Sequence, residues 1–189
     1  GNPVMIFLGN FVKALGIANW SNQGSWVDSI ANRGAVDGLT AVFFLVGIVI
    51  LLRRYRESKD WKLLIILLLY PILLLPSALS LAFPSENPSM TRGVGAAIPV
   101  LLIAAFGIVE IFNIIREPLR QRSLAAVIIA GVLMLAPIVV NNNNLVFQQY
   151  AYQYQRSAWN ASEMAQTIQR FYSSGKEGLS YLISYPYWV

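Results

Sequence analysis

The 189-residue chain contains no cysteine and no histidine. There is accordingly no disulfide, no thiolate nucleophile, no imidazole base and no metal site built on nitrogen or sulfur. Charge is also scarce. Only 12% of the residues are Asp, Glu, Lys or Arg, against roughly a quarter in a soluble domain, while 56% are hydrophobic. Nine carboxylates are all that remain for acid–base chemistry. No P-loop, dinucleotide fingerprint, metal-ligand spacing or nucleophile elbow appears. No cofactor is expected. The net charge of +5 comes from clustered basic residues whose placement reports orientation, and no nucleic-acid partner is expected.

What is present is a series of long apolar runs. Residues 37–53 open with Asp37 as a helix cap and continue as "GLTAVFFLVGIVILL". Residues 63–83, "LLIILLLYPILLLPSALSLAF", carry Pro71 and Pro76, which free carbonyls one turn back and predict a kink. A third run spans about 93–115, and a fourth spans 123–140. The expected fold is an all-α polytopic membrane protein with four transmembrane helices. An amphipathic helix over residues 1–20 precedes them, lying at the interface or packing on the bundle. Three regions are expected: 1–36 as interfacial helix and outer loop, 37–140 as the four-helix membrane region, and 141–189 as outer helices with the first strand of a soluble domain. "NNNN" at 141–144 reads as a polar brake on the last span. "NASEMAQTIQRFYSSG" reads as a short helix, capped by Asn160 or Ser162 with Glu163 in a capping box and stopped by Gly175. "LSYLISYPYWV" reads as a strand without a partner, so the chain is expected to be part of a longer protein.

The segments 53–62 and 116–122 hold eight of the fourteen Lys and Arg. The positive-inside rule therefore places these two segments in the cytoplasm, with both chain ends and the 83–94 loop on the outer side of the cell membrane.

Two polar features stand out. "FPSENPSMTRGVGAAIP" (83–99) places Arg92 at the mouth of the third apolar run, after Glu86 and Asn87 and before the small residues Gly93, Gly95, Ala96 and Ala97. A helix start with an adjacent guanidinium suits a phosphate, since backbone N–H groups point at the anion and arginine can bind it through two hydrogen bonds. Alternatively, Arg92 reaches the interface and pairs with Glu86. Glu110 lies within the third apolar run, where it is a candidate functional acid or reaches towards Arg116 or the basic segment.

The order of these features has a resemblance. "VDGLTAVFFLVGIVILLRRYRE", then "LLLYPILLLPSALSLAFPSENPSMTRGVGAAIPVLLIAAFGI", resembles the C-terminal membrane region of bacterial family-39-like glycosyltransferases. These belong to the GT-C superfamily, as do the protein O-mannosyltransferases. The likeness is strongest over Asp37–Ile115, and "YPYWV" is similar to the start of that family's outer soluble portion. The resemblance implies a polyprenyl-phosphate-linked sugar donor at the outer membrane face, with Arg92, Glu86 and Asn87 at the donor phosphate. It also implies an aspartate base on a first outer loop in upstream helices that are not in this sequence. Asp28 and Asp37 lie outside that context and are not given the role. The residues present are therefore expected to complete a lipid-phosphate-sugar site but not to catalyse transfer alone. The alternative is a non-catalytic accessory subunit packed among other membrane subunits of a larger complex.

Overall fold

The computed structural model describes residues 2–22, 27–120, 123–157, 161–175 and 178. Among these the protein is helical and contains no strand. The strand expected over 179–189 lies outside the described residues. Four helices are long and apolar enough to cross a membrane: Gly38–Ser58, Trp61–Ala78, Val94–Pro118 and Leu124–Arg156. The protein is an all-α polytopic membrane protein. It forms two compact units, 1–154 and 155–189.

Helix α1 (Pro3–Leu15) starts behind Asn2, whose side chain accepts from the Val4 N–H, with Pro3 preset for the first turn. It packs through one stripe. Asn10 is 2% exposed and donates to the carbonyls of Ala78 and Ser80, both at 3.3 Å, and Ala14 is wholly buried. The opposite face leaves Val4, Met5, Leu8 and Val12 at least half exposed. The helix packs on the bundle, one of the two sequence expectations, and keeps an apolar face outward.

Helix α2 (Gly38–Ser58) runs from the Asp37 cap through the first apolar run and on through the arginines. The second run is divided. Helix α3 (Trp61–Leu73) stops at Leu74, and α4 (Leu75–Ala78) follows with Pro76 in its first turn. The interruption falls between Pro71 and Pro76, where the missing N–H donors were expected to kink the helix. A 3₁₀ turn at Val94–Ala96 leads into α5 (Ala97–Arg120).

Helix α6 (Leu124–Asn144) carries the fourth apolar run and includes the four asparagines expected as a polar brake on it. The helix continues as a π-helical stretch, Leu145–Tyr150, and then as α7 (Ala151–Ser157). The asparagines find partners that keep the backbone helical: Asn142 Nδ2 donates to the Ile138 carbonyl at 2.9 Å, and Asn144 bonds Gln148 and Gln149. In the second unit, α8 (Ala161–Ser173) forms where a short helix was expected. It ends before Gly175, whose φ of 71° suits a helix stop that favours glycine. The expected caps at its start lie outside the described side chains.

The bundle is organised around α2 and α5. Gly47 meets Ile103 and Arg54 meets Glu110, so the two helices advance in the same direction, as first and third spans must. They approach so closely that a Cβ on Gly47 would clash with the Ile103 carbonyl, and one on Gly107 with the Phe43 carbonyl. Close backbone approach is the main source of attraction between helices in lipid, where apolar burial gives little net drive. Phe43, Phe44, Leu51, Tyr70, Leu74, Val100, Ile103 and Ala104 complete the core around this crossing. The Phe44 and Tyr70 rings meet edge-on at 5.1 Å, and Tyr70 Oη donates to the Leu15 carbonyl at 2.8 Å, which fixes the α1 end.

Gly47→Ala should lower the melting temperature in detergent, since overpacking a tight contact costs about 1–3 kcal/mol. Gly9→Ala, which meets nothing within 4 Å, should not. Equal melting temperatures for the two variants would contradict the crossing as the centre of stability.

Candidate functional site at the Asp37 end of the bundle

One end of the bundle gathers the polar groups that the spans exclude. The 83–93 segment is folded around Ser77 of α4. Ser77 Oγ donates to Asn87 Oδ1 at 3.0 Å and accepts the Ser89 N–H at 2.9 Å, while the Ser77 carbonyl accepts from Asn87 Nδ2 at 2.7 Å. These three residues are almost wholly buried. The Asn87–Pro88 peptide bond is cis. Ser89 Oγ lies 3.1 Å from Thr91 Oγ1 and accepts the Arg92 N–H at 3.4 Å. A buried polar network with its partners satisfied holds its members in one arrangement, so the backbone at Arg92 is positioned from below.

Arg92 itself stays accessible, with 38% of its side chain exposed. Its Nη1 donates to Ser80 Oγ at 2.8 Å and its Nη2 to Glu86 Oε2 at 2.9 Å. The structure therefore brings Arg92 and Glu86 together at the surface and sets Asn87 beneath them, both ends of its amide engaged with Ser77. The Arg92–Glu86 pair that the simpler sequence reading expected is present.

Two details refine the expected anion site. α5 begins at Ala97, and the N–H groups of Ala96 and Ala97 already bond back to carbonyls of the preceding 3₁₀ turn. The guanidinium, not the helix start, is the donor group the segment presents. Gly93 is small for internal reasons: a Cβ there would press on the Ser89 carbonyl at 3.1 Å and on Leu74 at 3.3 Å.

Asp37 is 2% exposed and accepts four hydrogen bonds. They come from the N–H groups of Leu39 and Thr40, both at 3.1 Å, from the Thr40 hydroxyl, and from Asn142 Nδ2 of α6 at 2.9 Å. Burial, the largest single influence, pushes its carboxyl up; the four donors together outweigh it and hold it below the ordinary value of 3.8. Asp37 is thus a poor base and a good clasp, tying the α2 start to α6. Sequence reading identified it as a cap. It missed Asn142 as the partner, because the two are far apart in the chain.

Glu110 pairs with Arg54 at 2.7 Å, and Arg54 also lies 6.0 Å from the Phe106 ring. The acid in the third span is joined to the 53–62 basic segment, one of its two expected destinations.

A second feature at the Asp37 end had no signal in the sequence. A cavity of about 290 Å³ opens between the 28–37 segment, Met90 and the helix face carrying Asn142, Leu145, Val146 and Tyr150. Tyr150 Oη donates to the Val27 carbonyl at 2.6 Å. Gln153 bonds the Ser29 carbonyl at 2.8 Å and the Ala31 N–H at 3.1 Å, strapping this segment to the helix.

Comparison with models of protein families, with curated proteins and with solved structures finds no match to this chain.

The Asp37 clasp has a defined pH dependence. A carboxyl with a depressed folded pKa adds stability that is present above its unfolded value and is lost as pH falls through the folded one. Wild-type melting temperature in detergent should therefore fall as pH drops below about 4. Asp37→Asn should be less stable at pH 6 and lack that component of the acid fall. An identical acid limb in both proteins would contradict the clasp.

Proposed function

We propose that this chain is the membrane part of a glycosyltransferase that takes its sugar from a polyprenyl-phosphate carrier, with Arg92 meeting the carrier's phosphate. The observation that carries the proposal is the Arg92 guanidinium. It is held at the end of a long membrane span by a buried scaffold, yet among the described residues its guanidinium is tied only to Ser80 and to a half-exposed Glu86. Exposed ion pairs of this kind contribute about 0–1 kcal/mol, so Glu86 yields readily to the singly charged phosphodiester of such a donor. A phosphate offers the planar guanidinium two parallel hydrogen bonds. Glu86 would hold the arginine extended between turnovers, and Asn87 would act through the backbone it fixes.

The orientation belongs to the same proposal. Arg53, Arg54, Arg56, Lys59 and Lys62 mark the opposite end of the bundle and face the cytoplasm by the positive-inside rule, which puts Arg92 on the outer face. A lipid-linked donor presents its phosphate at that level. The catalytic base is assigned to none of the residues here; Asp37 is engaged by its four donors.

A second reading, a non-catalytic subunit packed among other membrane proteins, is favoured by one observation. The most apolar stretch of the Leu124–Arg156 helix has no buried residue, against 33% in α2, so this helix offers an uncovered face to neighbours.

Transfer from a polyprenyl-phosphate hexose by the natural full-length protein separates the two. Arg92→Ala should lower the transfer rate by about 100-fold, the scale of losing a charge-stabilising donor. Arg92→Lys should recover part of it, and Glu86→Gln should be nearly silent. Transfer unaffected by Arg92→Ala would remove the phosphate role, and absence of transfer in the wild type would favour the subunit.

A further inference from the structure

The end of α2 far from Asp37 carries a groove that the proposed function does not use. It has a volume of about 400 Å³ and is lined by Val49, Leu52, Arg53, Arg56 and Glu57. These residues form one face of α2, because positions three and four apart on a helix are neighbours. The same face continues away from the charged end through Leu45 and Val42. Val42, Leu45, Val49 and Leu52 are all exposed, so a bare apolar stripe leads up to the two arginines.

The groove is mixed in charge, and its pairing decides what it can take. Arg53 Nε donates to Glu57 Oε1 at 2.9 Å, while the two Nη atoms of Arg53 have no partner among the described residues. Arg56 makes no hydrogen bond or ion pair among the described residues. The neighbouring cations are turned elsewhere: Arg54 pairs with Glu110 of α5, and Lys59 Nζ lies 5.9 Å from the centre of the Tyr55 ring. Two guanidiniums against one carboxylate leave the groove with one positive charge in excess. A ligand with a single negative charge balances it. The acid on the wall is already bonded to Arg53, so the ammonium of a zwitterionic headgroup meets no unpaired carboxylate.

The apolar stripe says what carries that charge. From Val42 to Leu52 it runs about 15 Å at the helical rise of about 1.5 Å per residue. That is the depth of one leaflet in a hydrocarbon core about 30 Å thick. An acyl chain laid along the stripe brings its phosphate to the arginines, whereas a free phosphate would use the charged end alone. We propose that this face of α2 binds one anionic phospholipid of the phosphatidylglycerol kind. Its phosphodiester lies between Arg56 and the Nη atoms of Arg53, and one chain follows Leu52, Val49, Leu45 and Val42. Basic residues at a membrane surface attract anionic lipid in a general way. The proposal is narrower: Arg56 carries the preference and Glu57 limits it. It holds whether or not Arg92 meets a phosphate.

The test is native mass spectrometry of the natural full-length protein in non-ionic detergent, titrated with dioleoyl phosphatidylglycerol or dioleoyl phosphatidylcholine. The first phosphatidylglycerol should bind about fivefold more tightly than the first phosphatidylcholine, the scale of one basic residue at a headgroup. Arg56→Gln, a change at an exposed and unpaired side chain, should abolish that preference. Glu57→Gln, which removes the acid from the groove wall, should widen it. Lys62→Gln removes an equal charge from the same end but outside the groove, and should leave the preference in place. Glycerophosphoglycerol, the same headgroup without its chains, should not displace the bound lipid. A preference that is absent in the wild type, survives Arg56→Gln or narrows in Glu57→Gln overturns the proposal. So does an equal loss in Arg56→Gln and Lys62→Gln, which would mark diffuse attraction to the basic end. Displacement by the headgroup alone would overturn a lipid as the occupant.

Discussion

The crossing of α2 and α5 is the constraint on which the rest depends. Gly47 and Gly107 let two backbones approach to distances that no side chain would permit. In a bilayer, hydrophobic burial gives little reason for helices to associate, so close packing and interhelical polar contacts must supply it. Once α2 and α5 are locked, Leu51, Leu74 and Ile103 close around them and α1 docks through Asn10, Ala14 and the Tyr70 hydroxyl. The Arg54–Glu110 pair then joins the same two helices near their other end, where two charges would otherwise face the membrane alone.

Polar groups are used economically at the Asp37 end. Ser77 holds the 83–93 segment with three hydrogen bonds, and Asp37 holds α6 through Asn142. Both hubs are buried and satisfied, which makes them positioning elements instead of reactive groups. Above them the Arg92 guanidinium stays accessible, bonded to Ser80 and Glu86 at the surface.

The interrupted second span serves the same arrangement. The break at Leu74, between its prolines, leaves α4 as a short element carrying Ser77, the hub that shapes the Arg92 segment. The carbonyls of Ala78, the last residue of α4, and of Ser80 just beyond it lie where a helix end leaves its acceptors free, and they accept from Asn10 of α1.

The sequence by itself determined the spans, because a bilayer admits only helices with internally paired backbones, and about twenty apolar residues announce each one. It also determined the Asp37 cap, a distortion of the helix at Pro71 and Pro76, and the short helix before Gly175, since these are local consequences of side-chain chemistry and backbone freedom. At Asn141–Asn144, residues with weak helical preference, the helix is carried through by local partners at Ile138, Gln148 and Gln149 and by Asp37 from far along the chain. Only the tertiary structure decided that Gly47 faces Ile103, that Asn87 lies beneath Arg92, and that Asn22, Met90 and Val146 surround one cavity. Such pairings depend on helix rotation and on contacts between residues far apart in the chain, and apolar composition is the same whichever face of a membrane helix turns inward.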